Sequence, residues 1–453
     1  MIIRSDLLPA HLKVKVRRLF EVSAEKIRSI ESAWDPSAGA PVFTVAGRYA
    51  SRGWTEWTQG FQFGSAILQF DGADDPEFLE IGRRRTVDLM AAHVSHVGVH
   101  DHGFNNVSTY GNLLRLMNEG RIPENPWEGR FYEIALKCSG AVQAARWSGT
   151  ADGGGYIYSF NGPHSLFVDT IRSLRALGVA HRLGHVLMGE NDRRISLLAR
   201  LIDHARATAK YNIYYGRGRD AYDVRGRTAH EAVFNVNDGN FRCPNSQQGY
   251  SPFSTWTRGL AWAICGFAEQ LEFFETLPDA DLASHGGREP IRSMMQEVAE
   301  ATCDFYIENT AADGIPYWDT GAPGLERLGD WRGRAADPFN DHEPVDSSAA
   351  AIAAQGLLRL GRYLRNDQYW SAGLTVADAL FGEPYLSPDA NHQGLLLHSI
   401  YHRPNGWDFI PPGRKIPCGE ASMWGDYHGR ELALYLLRAT EDKPYLTFWS
   451  NPS

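Results

Sequence analysis

The sequence lacks the cysteine patterns that mark disulfide-rich or zinc-binding proteins. Its five cysteines are scattered through 453 residues, and no two of them form a Cys-x-x-Cys pair. An odd, dispersed set argues against a disulfide framework and against a structural zinc site. Cys265 and Cys303 lie in apolar helical contexts, where a cysteine acts as a small core residue. A reducing compartment fits this usage best.

The sequence also lacks an excess of positive charge and a long hydrophobic run. The formal net charge is −9 at pH 7, whereas nucleic-acid binding needs a basic surface. We find no apolar run of about 18 residues and no signal-peptide pattern near Met1. We therefore expect a cytoplasmic protein without nucleic-acid or membrane partners. An acidic substrate is allowed if a pocket supplies local positive charge or backbone donors.

Regular spacing of apolar residues predicts a mainly helical protein. Apolar positions repeat every three or four residues in five segments, as on one face of an α-helix. The five predicted helices run from Val87 to Gly98, from Phe167 to Leu177, from Leu260 to Leu271, from Ala349 to Leu364 and through Leu432 to Leu436. Two polar clusters, Asp346-Ser347-Ser348 and Ser254-Thr255, are predicted to cap helices at their N-termini.

One strand pair is predicted within this helical chain. The segment Ala232–Val236 alternates in polarity and is followed by Asn237-Asp238-Gly239, which is typical of a β-hairpin turn. No linker, low-complexity tract or fixed-period repeat divides the chain, although helix-loop-helix units recur. We therefore predict one domain over residues 1–453, built as a single ring of helical hairpins with a small β-hairpin decoration.

Two aspartates are candidates for acid–base chemistry. Asp101 directly follows the first predicted helix, and Asp169 lies among apolar residues in the first turn of the second, which Asn161 or Ser165 could cap. The helix dipole stabilises a carboxylate in that turn, and this lowers its pKa and opposes an acid role. Burial and a second carboxylate would raise the pKa again, so the acid hypothesis requires Asp101 close to Asp169.

These residues also allow structural or metal-binding interpretations. A lone Asp in a loop most often caps a helix or fills a turn. His100, Asp101 and His102 could instead bind a metal ion, but no other segment completes a recognisable ligand spacing, so no metal is predicted.

Aromatic and arginine pairs suggest a sugar-binding cleft. Arg258 and Trp262 are four residues apart, so they share one face of a predicted helix and suit a carboxylate and a sugar ring. The alternative is a surface cation–π pair. Trp57 and Phe61 have the same spacing near Trp54, and these three residues fit either an aromatic wall or simple core packing.

Nine segments taken in order resemble the unsaturated glucuronyl hydrolases, glycoside hydrolase family 88. No single segment is diagnostic, but the ordered set is specific and extends roughly from Trp54 to Arg438. The segments are Trp57–Phe61, His100–Phe104, Val168–Thr170, His230, Gln248–Tyr250, Ser254–Gly259, Gly314–Asp319, Asp346–Ala350 and Trp424–Tyr427.

The resemblance implies an all-α fold, an (α/α)6 toroid with the cleft at one end, and an enzyme without a metal or organic cofactor. It implies an acidic oligosaccharide substrate with a 4,5-unsaturated uronic acid at its non-reducing end, as polysaccharide lyases produce. Asp169 would act as acid and base in hydration of the C4=C5 enol ether, with Asp101 as its partner. The implied polar subsite residues are His230, Gln248 and Arg258, and the implied aromatic walls are Trp57, Phe61, Trp256 and Trp262.

Some positions depart from the family pattern. Leu260 stands where the family often has Gln, and Arg172 and Ser173 follow the Val-Asp-Thr segment where the family often has Met and Asn. Arg172 is expected either to face solvent or to add positive charge near the cleft. The departures leave the linkage, the sulfation and the next sugar of the substrate open.

Other functions fit the same residues. They are an unsaturated rhamnogalacturonyl hydrolase, a sugar isomerase or lyase that uses His96, His100 and His102, and a carbohydrate-binding protein without catalysis. Either a monomer or a homodimer is consistent with the sequence.

Overall fold

Helices predominate in the structure, a computed structural model that describes residues 1–53 and 57–449. These residues form sixteen α-helices and nine short β-strands. The helices are α1 (Pro9–Ala33), α2 (Gln59–Ala73), α3 (Pro76–Leu89), α4 (Ala91–Val94), α5 (His102–Asn105), α6 (Asn112–Asn118), α7 (Pro126–Ala145), α8 (Thr170–Ser173), α9 (Arg175–Arg182), α10 (Leu197–Tyr211), α11 (Thr257–Glu275), α12 (Asp279–Ala283), α13 (Arg288–Glu308), α14 (Ser347–Leu364), α15 (Asp367–Leu380) and α16 (Met423–Thr440). Trp54, part of the predicted aromatic group, lies outside the described residues.

Six helical segments form a closed inner ring. In order around the ring they are α2, then α5 with α6, α8 with α9, α11, α14 and α16, and each packs against the next. The outer helices α1, α3, α7, α10, α13 and α15 pack against this ring from outside. The arrangement confirms the predicted all-α toroid of helical hairpins.

Small residues allow the inner helices to approach closely. A side chain at Gly266 of α11 would lie 2.9 Å from the backbone nitrogen of Arg172, and one at Gly356 of α14 would lie 2.7 Å from that of Cys265. The alanines at the start of α14 are fully buried, as are the inner positions of α11 and α16. The ring is therefore held by contacts that larger side chains would prevent.

The inner helices begin at the same end of the ring. Trp57, just before α2, contacts Phe104 of α5 and Trp424 of α16 there. At the opposite end, where α2, α6 and α16 finish, Asp71 forms ion pairs with Arg115 and Arg438. The two ends of the ring thus carry different groups of side chains.

The β-strands form four small antiparallel sheets. The strands are β1 (Ala40–Val45), β2 (Arg48–Arg52), β3 (Trp147–Gly149), β4 (Gly155–Ile157), β5 (Ser165–Phe167), β6 (Leu187–Met188), β7 (Arg194–Ile195), β8 (Glu231–Phe234) and β9 (Phe241–Asn245). The pair β8–β9 confirms the predicted hairpin, and β5 adds a third strand beside β8.

Two of the five predicted helices have different boundaries in the structure. The first ends at Leu89 and continues only as the short α4, so the exposed Val87 and Val97 do not mark one buried face. In the second, Phe167 belongs to β5, and the helix begins only at Thr170. The three later predicted helices lie within α11, α14 and α16 and are confirmed.

The predicted helix caps also have different outcomes. Asp346 caps α14 by accepting hydrogen bonds from the backbone of Ser348 and Ala349, as expected. Trp256 occupies the cap position of α11, and the Thr255 hydroxyl accepts a hydrogen bond from the backbone nitrogen of Thr228 at 3.0 Å instead. The Ser254-Thr255 prediction is therefore wrong, because neighbouring loops compete successfully for these polar groups.

Arg172 does not face solvent, which was one of the two positions expected for it from the sequence. Its side chain is fully buried inside the ring, where it pairs with Glu269 of α11 at 2.6 Å and with Glu431 of α16 at 3.0 Å. The expected extra positive charge is therefore balanced by two carboxylates. Cys265 and Cys303 are buried, as predicted.

No α-helix within residues 1–53 and 57–449 combines the length and the apolar character that a membrane span requires.

Candidate active site

The two predicted aspartates stand at the starts of neighbouring inner helices. Asp101 is the cap residue of α5 and Asp169 that of α8, yet neither side chain bonds to the backbone of its helix. The helices are locked together because Gly103 leaves no room for a Cβ beside the backbone of Ser173 and donates to the Ser173 hydroxyl at 3.0 Å. Both carboxylates are therefore placed by the fold and remain available to a ligand.

His100 lies between the two carboxylates. Its Nε2 is 3.7 Å from Oδ1 of Asp101 and 3.7 Å from Oδ2 of Asp169. One ligand atom from each of these three residues lies within 4.8 Å of the others, and all three residues are buried. The structure thus brings Asp101 and Asp169 together, as the acid hypothesis requires, and adds a third titratable group. We name these three residues the carboxylate cluster.

The pKa values in the carboxylate cluster differ from the expectation that burial and a second carboxylate would raise the pKa of Asp169. Burial raises the pKa of Asp101 to about 6, and the charge of Asp169 adds to this effect while His100 opposes it. Burial also tends to raise the pKa of Asp169, but the contact with His100 and its charge outweigh burial, so this pKa is lowered. A proton therefore resides more readily on Asp101 than on Asp169.

The predicted alternative metal set does not assemble. His102 turns away from the carboxylate cluster, since its Nδ1 contacts Ser139 Oγ at 3.0 Å and its Nε2 contacts the His96 carbonyl at 2.9 Å. In the described part of the chain, His100, Asp101 and Asp169 are the group close enough to share a metal ion. We retain the hypothesis of acid–base chemistry without a metal. The histidine-based isomerase alternative loses His102 for the same reason.

A polar group lies beside the carboxylate cluster. His230 Nδ1 accepts from the backbone of Gln247 at 3.0 Å, and burial lowers the pKa of His230 to about 4, so the ring is neutral. Its Nε2, which then carries the hydrogen, has no partner among the described residues. Arg258 donates to Gln248 Oε1 at 2.7 Å and to Asp346 at 3.2 Å. The arrangement offers a ligand one free imidazole donor and an amide held by an arginine.

Arg258 is more enclosed than the sequence suggested. The guanidinium lies over the rings of Trp256 and Trp424, at 4.6 and 5.0 Å, and it also donates to the carbonyls of Ile400 and Tyr401. Only its Nε lacks a hydrogen-bond partner. This arginine therefore anchors the site, and little of its donor capacity is left for a carboxylate.

The predicted aromatic residues form a floor and one wall. Phe61 and Trp262 are fully buried, and Trp262 packs against Phe104 at 4.7 Å and His428 at 5.0 Å. Trp57 is only partly buried and stacks on Trp424 at 4.9 Å. Arg258 and Trp262 thus have different neighbours, although they are four residues apart.

Two exposed aromatic residues near the site were not identified from the sequence. Phe160 is 53% exposed, and its ring stacks on His100 at 6.1 Å. Trp407 is 42% exposed, contacts His402 and lies beneath Arg52. Phe160 belongs to the loop of residues 153–165, whose Gly, Tyr and Asn content is the signal that could have found it.

The other end of the ring carries a cavity of about 650 Å³, lined by the ends of α2, α6 and α16 and by the C-terminal segment. Its charged groups are paired with one another, as in the ion pairs of Arg115, Asp71 and Arg438. In the carboxylate cluster and the neighbouring His230, polar atoms of His100, Asp169 and His230 have no hydrogen-bond partner among the described residues. The close, buried carboxyl groups of the carboxylate cluster make that end of the ring the candidate active site.

Several known enzymes resemble this chain over most of its length. No family model matches the sequence. An unsaturated glucuronyl hydrolase of Formosa agariphila is 26% identical over 82% of this chain and 78% of its own length. An unsaturated glucuronyl hydrolase of Bacillus sp. strain GL1 is 26% identical over 85% of this chain and 87% of its own. An unsaturated chondroitin disaccharide hydrolase of Streptococcus pyogenes is 24% identical over 89% of this chain and 86% of its own.

The chain is thus similar to unsaturated glucuronyl hydrolases over most of its length. Solved structures agree with the fold. A crystal structure of an unsaturated glucuronyl hydrolase specific for heparin has a TM-score of 0.72 and 19% identity, and covers 94% of this chain and 98% of its own. That of the Bacillus sp. GL1 enzyme has a TM-score of 0.69 and 21% identity, with coverages of 94% and 97%. The resemblance to unsaturated glucuronyl hydrolases seen in the sequence is confirmed, and these relatives are glycosidases.

Proposed function

We propose that this chain is a glycosidase that removes a 4,5-unsaturated uronic acid from the non-reducing end of an acidic oligosaccharide. The observation that carries the proposal is the buried carboxylate cluster at the mouth of a helical ring related to unsaturated glucuronyl hydrolases. Two carboxyl groups this close can hold one proton between them, as acid–base catalysis at a vinyl ether requires.

The proposed reaction is hydration of the C4=C5 double bond. A carboxyl proton is transferred to C4, and positive charge develops at C5 and the ring oxygen. Water then adds at C5, while Asp169 as carboxylate accepts a proton from that water. The product is a hemiketal, which opens and releases the remaining oligosaccharide. Because the proton given to C4 is recovered from water, the enzyme returns to its starting state.

In this scheme, substrate binding changes which of the two carboxyl groups holds the proton. The contact with His100 keeps the pKa of Asp169 low. A uronate carboxylate adds negative charge and excludes water, and both effects raise the pKa of nearby carboxyl groups. We therefore propose that Asp169 takes up the proton held by Asp101 when the substrate binds. Asp169 is then acid and base in turn, and Asp101 is its partner.

The remaining predicted residues receive proposed binding roles. Neutral His230 offers its Nε2 hydrogen to the substrate or the attacking water, and Gln248, held by Arg258, offers its amide group. Trp57 and Phe160 present ring surface to the sugar. Phe61, Trp256 and Trp262 support these rings from below. Flat apolar rings suit the faces of a pyranose, and their burial keeps the site dry.

The chain as a whole is proposed to act as one catalytic domain, because its inner segments and outer helices form a single closed ring. A cytoplasmic location remains a prediction.

The decisive experiment follows the ultraviolet absorbance of the conjugated enol ether during incubation with lyase-generated disaccharides. The panel contains glycosaminoglycan, gellan, ulvan and pectin fragments, and the pectin member tests the rhamnogalacturonyl alternative. We expect the absorbance to fall with at least one member. Matched saturated disaccharides serve as the control and should remain intact. Folded protein that leaves every chromophore unchanged would reject the proposed reaction.

A further inference from the structure

We infer that His100 is a positioning residue for the proposed hydration, because its Nε2 lies between Asp101 and Asp169 and provides the positive charge that sets the pH range in which the two carboxyl groups hold one proton. This inference rests on the proposed function. It extends that function because the sequence-based predictions assigned His100 a role only in the metal-binding and isomerase alternatives.

The His100 ring is held rigidly. Its backbone carbonyl accepts from Gln143 Nε2 at 2.6 Å and from Ser173 Oγ at 2.7 Å. One face of the ring stacks on Phe160, and Phe167 meets it edge-on at 5.7 Å. The two hydrogen bonds therefore fix the backbone of His100, and its ring cannot turn away from the carboxylates without losing the aromatic packing.

The other charged groups around the cluster do not replace His100. Arg146, at the end of α7, donates to the carbonyls of Tyr158, Ser159 and Val97 and so holds a loop. Its charge also lowers the pKa of Asp101, but less than the charge of His100 does. His204 of α10 accepts from the backbone of Ile157 at 3.0 Å, and burial lowers its pKa to about 3.

His230, which faces Asp169 from the start of β8, is neutral for the same reason, with a pKa of about 4. Among the described residues, His100 is the group that lies within ion-pair distance of both carboxylates. Burial lowers the pKa of His100, but the charges of Asp101 and Asp169 outweigh burial and raise it.

Removal of this charge should affect both carboxyl groups in the same direction. A positive neighbour stabilises ionised Asp101 and Asp169, so its loss raises the pKa of each. The pair titrates as a unit, and the pH range in which it holds one proton moves upward. A residue with a merely structural role would lower activity without moving this range.

The test uses His100→Gln, which keeps a neutral nitrogen donor at the Nε2 position, beside His100→Ala. His204→Gln is the matched control, because it changes another buried histidine that does not contact the substrate in the proposed scheme. For His100→Gln we expect the optimum of kcat/KM to move up by about one pH unit and kcat to fall about 10- to 100-fold at pH 6, with KM little changed. His100→Ala should show the same shift, and His204→Gln should show none. A His100→Gln profile that superimposes on the wild-type profile would overturn the inference.

A second measurement does not depend on turnover. The full chain is labelled with ¹⁵N-histidine, and the His100 signal among the 16 histidines is assigned by its loss in His100→Gln. We expect His100 to titrate above the ordinary histidine value, and its pKa to fall in Asp101→Asn and in Asp169→Asn. Titration at or below the ordinary value would overturn the inference even in an active enzyme. Absence of turnover on the whole substrate panel, with a raised and carboxylate-dependent pKa of His100, would reject the proposed function but leave the charge of His100 established.

Discussion

At the scale of single residues, the site depends on two aspartates at helix-cap positions whose carboxylates do not cap their helices. Asp101 and Asp169 occupy helix-cap positions, where an aspartate ordinarily accepts backbone hydrogen bonds. Asp346 does this at the start of α14, whereas the two site aspartates do not. A carboxylate that is buried without this compensation costs stability, and such a cost is expected where a side chain serves chemistry.

Asp169→Asn tests whether the chain is a catalyst or a binding protein. The amide cannot deliver and recover the proton, so we expect kcat to fall at least about 10³-fold. Binding of the unsaturated disaccharide, measured by calorimetry, should stay within about threefold of wild type. Exposed Asp279, changed to Asn, is the control and should keep full activity. A variant of Asp169 with normal turnover would remove this residue from the mechanism.

Asp101→Asn has an expected effect on stability that depends on pH. The folded state raises the pKa of Asp101 from 3.8 to about 6, so it binds this proton more tightly than the unfolded chain does. The stability that this proton contributes is complete below pH 3.8 and is lost as the pH rises towards 6. An asparagine at this position does not titrate and loses no stability over this pH range. The free energy of unfolding of Asp101→Asn at pH 7 should therefore exceed that of wild type by up to about 3 kcal/mol.

Urea denaturation at several pH values measures this difference between Asp101→Asn and wild type. The advantage of the variant should shrink as the pH falls from 6 to 4. A constant difference at all pH values would show that titration of Asp101 is not its cause.

At the scale of elements, the start of α14 connects the fold to the site. Asp346 caps this helix and also accepts a hydrogen bond from Arg258, which in turn donates a hydrogen bond to Gln248. One carboxylate thus satisfies a helix end and balances a fully buried cation. The position of the polar group is therefore tied to the helix that carries its counter-ion.

Asp346→Ala should be strongly destabilising, since it removes a helix cap and leaves the Arg258 charge buried without a partner. We expect the free energy of unfolding to fall by about 3–5 kcal/mol, as when one member of a buried ion pair is removed. Asn366→Ala is the matched control, because Asn366 caps the neighbouring α15 without serving a buried cation, and its loss should cost about 1 kcal/mol. Equal losses in chemical denaturation would contradict the role assigned to Asp346.

At the scale of the whole molecule, buried ion pairs link the helices of the inner ring. Arg172 of α8 pairs with α11 and α16, and Arg359 of α14 pairs with Glu272 of α11 at 2.8 Å. Arg359 also donates to the carbonyl of Leu446 at 2.8 Å, so the C-terminal segment takes part in the same network. These contacts connect four of the six inner segments with the residues that close the far end.

Arg172→Met should weaken the ring as a unit, because Glu269 and Glu431 would each lose a buried partner. We expect a loss of about 3–5 kcal/mol in the free energy of unfolding and a lower Tm. Arg28→Met, which breaks an ion pair with Glu77 at the surface, should cost less than about 1 kcal/mol. A small loss in the free energy of unfolding of Arg172→Met would show that the methionine side chain stabilises the ring as well as the ion pairs do.

Local patterns in the chain were sufficient for several features of the protein. The three-and-four spacing of apolar residues located α11, α14 and α16, and the Asp-Gly turn located β8 and β9. Both signals arise between neighbours along the chain, so they can be read without knowledge of the fold. The spacing failed at Val87–Gly98, where exposed valines imitate a buried face.

The sequence by itself determined the helical character, the hairpin and the candidate residues with their order. The tertiary structure alone decided that Asp101 and Asp169 meet, that His100 stands between them, and that Arg172 points inward. The partners of Arg172 are 97 and 259 residues away along the chain. A pKa depends on distance, burial and neighbouring charge, and at this site the packing of remote helices sets all three.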